Sequence, residues 1–97
     1  MVSTYQEEKM NSDSRGNWCI FYCKRSDPTT WYTMKLQRSD GVLVSAKTYD
    51  EVFKFVKYKD AWDFAKDLIT VEPEPKYDVQ VKRVCKTGDH SFYLSGN

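Results

Sequence analysis

The chain has 97 residues, a net charge of +1 and an aromatic content of 15%. This length suits one domain with one hydrophobic core. The balance of 15 basic against 14 acidic residues excludes a polybasic nucleic-acid arm and an acidic nucleic-acid mimic. Because so small a core cannot hold all of the aromatic side chains, we expect some of them at the surface, where aromatics favour interfaces.

The three cysteines predict reduced thiols in a cytoplasmic protein. Cys19 and Cys23 lie in one predicted strand with Cα atoms about 13 Å apart, too far for a disulfide. With Cys85 the count is odd, and no CxxC or histidine pair completes a zinc site. Residues 1–11 have no apolar stretch, and no run is long enough to span a membrane. We predict no metal, no cofactor and no membrane contact.

The first sixteen residues, 1–16, predict a flexible N-terminal tail, since they hold few side chains that could enter a core. Residues 17–97 predict a single domain. Its first segment, 18–23, is apolar on both alternating faces. That pattern is typical of a central strand covered on both sides.

Two further predicted strands follow, and with the first they indicate an antiparallel meander. Residues 25–29, which include Pro28, predict a loop of medium length before a strand over 31–38. Alternation places Tyr32, Met34 and Leu36 on one face of this strand, and on the other Trp31, Thr33, Lys35 and Gln37. The turn at 39–41 then leads into a short strand over 42–44.

The segment 48–58 fits two structures. Thr48 and Glu51 match a capping box, which indicates a helix. Residues 52–58 are dense in β-branched and aromatic side chains, which favours a strand. We predict a strand that ends at Lys57 and keep the helix as the alternative.

The clearest helix covers 60–69, with Asp60 as its N-cap. Its apolar stripe has helical spacing and consists of Ala61, Phe64, Ala65 and Leu68. Strands over 77–82 and 92–94 complete the chain. The predicted fold is α+β, with a mostly antiparallel sheet of four to six strands and one amphipathic helix (about 60–70) packed on one face. The order of the strands stays open.

No constellation of side chains indicates catalysis. The one histidine, His90, lies five residues after Cys85 in a hairpin loop, which is typical of a solvated turn. Acidic residues at 60, 63 and 67 share a helix face, which is typical of a solvated surface or of recognition of a basic partner. The widely spaced glycines give no phosphate-binding loop. We therefore predict a protein that is not an enzyme.

The candidate partner-binding residues fall on two elements. The first set combines basic, amide and aromatic side chains on the sheet face away from the helix: Trp31, Lys35, Gln37, Lys54, Gln80 and Lys82. The second set lies on the helix: Trp62, Asp63 and Asp67. A tryptophan on a polar face beside lysines is a plausible interface anchor.

Two functions of different classes fit these residues. The first is a small interaction module that binds a larger protein or complex as an inhibitor or adaptor, a type frequent among phage and accessory proteins. The alternative is a module for single-stranded nucleic acid, since stacking rings with lysines suit bases and phosphates. An uncovered sheet face or edge also allows a homodimer.

Overall fold

The computed structural model describes residues 17–70 and 74–95. It contains the strands β1 (Trp18–Lys24), β2 (Asp27–Gln37), β3 (Leu43–Ser45), β4 (Tyr77–Lys86) and β5 (Phe92–Ser95). A 3-10 turn covers Tyr49–Glu51, and the helix α1 covers Tyr58–Ile69. The predicted tail, 1–16, lies outside the described residues. None of the described helical segments has the length and apolar character that crossing a membrane would need.

The strands form one antiparallel sheet in the order β3-β2-β1-β4-β5. With α1 packed against it, the sheet confirms the predicted α+β fold. β1 lies in the middle and is almost wholly buried, which explains why its sequence is apolar on both faces.

The main core lies between α1 and the sheet. Its largest buried side chains come from β1 and β2 and include Trp18, Ile20, Tyr22 and Met34. The helix meets them through small residues of the predicted stripe, Ala61 and Ala65 among them.

The helix begins earlier than predicted. It starts at Tyr58, and Lys57 occupies the N-cap position without a side-chain hydrogen bond. The prediction of Asp60 as the cap is therefore wrong. Asp60 instead lies in the first turn, where its charge still complements the helix dipole.

The segment 48–58 is neither of the predicted structures. After the 3-10 turn the chain is extended, with a single β-bridge between Phe55 and Trp18. The Phe53 N–H donates to the Met34 carbonyl oxygen at 3.0 Å, so this segment bonds to both β1 and β2. The strand prediction is wrong because Phe55 exchanges its backbone bonds with β1 while Phe53 bonds to β2, which leaves no continuous ladder with either strand.

A second, smaller apolar cluster lies on the sheet face away from α1. Val52, which follows the 3-10 turn, packs there with Cys19 and Val84. Tyr49, Phe92 and other partly buried side chains surround them. The face opposite the helix is therefore covered at one end by the chain itself.

The β1–β2 hairpin is tighter than predicted. Lys24 pairs with Asp27 across a two-residue turn, so the medium-length loop prediction is wrong and Pro28 lies inside β2. The register shifts here, because the next pair joins Cys23 to Trp31. A bulge of this kind accepts a proline, which cannot donate to the ladder.

Replacement of Gly41 by alanine should destabilise the protein by about 1 kcal/mol, because a side chain is strained at its φ of +87°. The space around it is open, so backbone strain is the cause. Gly41→Asn should cost less, since asparagine tolerates this region. Urea denaturation of both variants measures the difference, and equal stability of Gly41→Ala and wild type would contradict it.

Burial of Cys19 predicts a loss of stability at high pH. Desolvation of the thiol raises its pKa from 9.0 to about 12. The folded protein thus holds this proton more tightly than the unfolded chain, and stability is unaffected below pH 9 and falls between pH 9 and about 12. The slope is roughly 1 kcal/mol per pH unit. Burial also raises the pKa of Tyr22 from 10.0 to about 12. This tyrosine therefore adds to the loss of stability above pH 10.

Urea midpoints measured from pH 7 to 11 test this linkage. Cys19→Val should flatten the decline between pH 9 and 10, before the tyrosine contributes. An unchanged slope in that variant would show that other groups cause the alkaline loss.

Candidate partner-binding surfaces

Strand register brings four of the predicted residues to one side of the sheet. In β1–β2 and β1–β4 pairing, Phe21 lies opposite both Thr33 and Gln80, while Cys19 lies opposite Lys82. Side chains alternate along each strand. The face away from α1 therefore presents a patch that we name the open sheet face, formed by Phe21, Trp31, Lys35, Gln80 and Lys82.

Two stacked aromatic rings form the centre of the open sheet face. The Phe21 and Trp31 ring centroids are 5.1 Å apart with an interplanar angle of 22°. Both side chains are partly exposed, and neither belongs to an apolar cluster of the described residues. The rings together make a flat apolar surface that the described part of the chain covers only partly.

Two lysines lie on the same face without an ion pair among the described residues, Lys35 on β2 and Lys82 on β4. Lys35 lies near Glu51. The pKa of the Glu51 carboxyl is lowered mainly by the Lys47 N–H, which donates to Oε1 at 2.7 Å. The charge of Lys35 lowers it further. Lys82 lies opposite the buried Cys19. The face thus combines an aromatic centre with two available cations.

Two of the predicted partner-binding residues, Lys54 and Gln37, form hydrogen bonds within their own segments. The Lys54 Nζ donates to the carbonyl oxygens of Tyr49 at 2.7 Å and Val52 at 3.1 Å. It also lies 4.2 Å from the centroid of the Tyr49 ring. The Gln37 Nε2 donates to the Gly41 carbonyl oxygen at 3.2 Å. Lys54 therefore stabilises the 3-10 segment, and Gln37 stabilises the β2–β3 turn.

The helical residues lie apart from the open sheet face. Trp62 and Tyr58 line a cleft of about 250 Å³ beside residues 79–82 of β4. Gln80 and Lys82 border this cleft and also belong to the open sheet face. Asp63 pairs with Lys66 at 3.5 Å, and Asp67 is exposed one turn further along α1. The structure thus separates the predicted residues into two surfaces that meet at β4.

The two residues considered for nucleophilic chemistry have structural contacts. The His90 carbonyl oxygen accepts the Tyr49 N–H at 2.7 Å. A hydrogen bond between the Cys85 thiol and the Tyr93 hydroxyl raises the pKa of Tyr93. Among residues 17–70 and 74–95, no group of three or more histidine, cysteine or carboxylate side chains could hold a metal ion.

Phe21 is the member of the open sheet face that sequence reasoning missed. It lies within a run that is apolar at every position, so alternation alone gives no reason to place its ring at the surface. Only the register of β1 against β2 brings it beside Trp31.

Comparison with known proteins finds no matching family model, no matching curated protein and no matching solved structure. Function is therefore inferred from the side chains themselves.

Proposed function

We propose that this chain is a non-enzymatic protein-interaction module of the cytoplasm that binds a larger protein or complex, as an inhibitor or adaptor, through the open sheet face. The stacked rings of Phe21 and Trp31, which the described residues leave partly exposed, carry this proposal. Tryptophan is among the residues that contribute most to protein interfaces, because a large rigid surface is desolvated at little entropic cost.

The surroundings of the rings support a protein partner. Gln80 and the two lysines supply a polar rim around an apolar centre, which is the usual arrangement of an interface. The two lysines are few for a phosphate backbone, and Arg25 near the β1–β2 turn adds little net positive charge because it pairs with Asp78 at 3.1 Å. An apolar protein surface with acidic residues at its edge complements this face.

A second candidate is binding of single-stranded nucleic acid. The specific observation in its favour is that Lys35 and Lys82 lie on the same face as a partly exposed aromatic pair, which offers stacking and phosphate contacts together. The two candidates differ in their dependence on salt. Binding by phosphate contacts weakens by roughly one log unit of affinity per log unit of salt for each contact, whereas an aromatic anchor is less sensitive.

Capture from a lysate of the native host, with and without nuclease, tests the proposal. We expect one dominant protein that remains bound after nuclease treatment and at about 0.5 M salt, where exposed charges are strongly screened. The double variant Lys35→Ala, Lys82→Ala should retain most of this protein. Loss of all captured proteins on nuclease treatment, together with loss in the double variant, would contradict the proposal and favour nucleic acid.

A further inference from the structure

A cavity of about 290 Å³ lies between the β1–β2 turn and the start of β4, away from the aromatic pair that carries the proposed function. Its walls are Lys24, Arg25, Ser26, Lys76 and Tyr77. Three of these five side chains are cations, and no carboxylate lines the cavity. Its volume approaches the lower end of the range for small-molecule sites.

Backbone pairing brings the three cationic residues, Lys24, Arg25 and Lys76, to one end of the sheet. The Arg25 N–H donates to the Lys76 carbonyl oxygen at 2.9 Å, which ties the hairpin turn to the segment before β4. The Lys24–Tyr77 pair continues this contact as the last step of the β1–β4 ladder. The three cationic residues thus occupy adjacent backbone positions, and a local concentration of positive charge favours binding of an anion.

The Arg25 guanidinium is oriented by a neighbour outside the cavity. Asp78 Oδ1 accepts a hydrogen bond from Nε at 3.2 Å and lies 3.1 Å from Nη2 in the same ion pair. These contacts use one edge of the guanidinium and leave Nη1 without a hydrogen bond to the described residues. Neither Lys24 nor Lys76 forms an ion pair with a described residue. Donors for several anionic oxygens are therefore available in one place.

Tyr77 gives the cavity an apolar wall. Its hydroxyl oxygen accepts the Leu43 N–H at 3.2 Å, on the far side of the core. The ring is thus held in place and is not available as a polar ligand. A group that carries an anion can pack against it.

We propose that this cavity binds a phosphoryl group, with Lys24, Lys76 and Arg25 Nη1 as donors to its oxygens. Arginine and lysine are the side chains that proteins use most for this purpose, the first for directed hydrogen bonds and the second as a point charge. The Ser26 hydroxyl is a further donor at the rim. The phosphoryl group can belong to free phosphate, to a nucleotide or to a phosphorylated side chain.

Thermal unfolding of the full chain at constant ionic strength tests this site, with chloride as the reference. Orthophosphate, O-phosphoserine and a nucleoside monophosphate are added separately, and heats of binding are measured for each. We expect a higher Tm and saturable binding with at least one of them, and the compound with the lowest Kd identifies the source of the group. The double variant Lys24→Gln, Lys76→Gln should lose at least about tenfold in affinity, a change of ~1.4 kcal/mol.

The same double variant supplies a second readout. Because both lysines are exposed and form no ion pair with a described residue, the variant should be about as stable as wild type in chloride, so loss of binding is not a consequence of unfolding. Lys47→Gln, Lys59→Gln is the matched control, since both lysines are exposed and lie outside the cavity. An absence of any phosphate-specific shift, or an equal shift in both double variants, would overturn the proposal and leave the open sheet face untouched.

Discussion

Trp18→Ala is expected to lower the free energy of unfolding by about 3–5 kcal/mol, the range for removal of a large aromatic side chain from a core. The side chain is fully buried at the start of the central strand. Its ring meets Tyr58 of α1 edge-on with centroids 4.8 Å apart, and its backbone forms the bridge to Phe55. One substitution therefore disturbs the sheet, the helix and the segment between them.

Urea denaturation followed by circular dichroism measures this loss, and Trp62→Ala is the matched control. Trp62 is 39% exposed, whereas Trp18 is fully buried, so removal of Trp62 should cost clearly less, about 1–2 kcal/mol. A small domain has only about 5–15 kcal/mol of stability, and Trp18→Ala can be partly unfolded at room temperature. Similar losses in the two variants would contradict the assignment of Trp18 to the core.

Trp31→Ala is expected to weaken binding of the captured partner by at least about 2 kcal/mol, or about 30-fold in Kd. The substitution removes one of the two stacked rings and leaves Phe21 without its neighbour. The fold should remain, because Trp31 belongs to neither apolar cluster of the described residues. Surface plasmon resonance against the partner measures the change.

Tyr93→Ala controls for the general effect of losing a surface aromatic. Tyr93 is 55% exposed on β5 and lies outside the open sheet face. We expect its variant to bind as wild type does. Equal weakening by the two substitutions, or no weakening by Trp31→Ala, would remove the open sheet face from the binding surface.

The central strand and the helix could be predicted because the pattern of apolar residues in each matches its burial in the fold. β1 is apolar from Trp18 to Cys23 and lies in the middle of the sheet. The stripe of Ala61, Ala65 and Leu68 faces the core, as its spacing indicates. In these segments local pattern and tertiary contacts favour the same structure.

The irregular elements could not be predicted because their partners are distant in sequence. Phe53 and Phe55 bond to β2 and β1, respectively, and no local pattern shows a chain that divides its bonds between two strands. Pro28 indicates a loop by its chemistry, yet the bulge in β2 accepts it. Both outcomes depend on contacts that only the assembled sheet provides.

The candidate site could be predicted only in part, because some of its residues come together through contacts between distant segments. Alternation places Trp31 and Lys35 on the polar side of β2, and the register of β4 adds Gln80 and Lys82. The predicted strand over 48–57 would place Lys54 on the same face, whereas its Nζ donates to the carbonyl oxygens of its own segment. The cavity beside the β1–β2 turn has no sequence signal, because Lys24 and Lys76 are far apart in the chain and meet only through strand pairing.

Hydroxyl-radical footprinting of the free protein and of its complex tests the central claim most directly, because it reports the solvent exposure of each aromatic ring. We predict that oxidation of Phe21 and Trp31 falls on binding of the partner, while oxidation of Tyr93 stays unchanged. A complex that forms while Phe21 and Trp31 remain as reactive as in the free protein would contradict the claim that the open sheet face binds the partner.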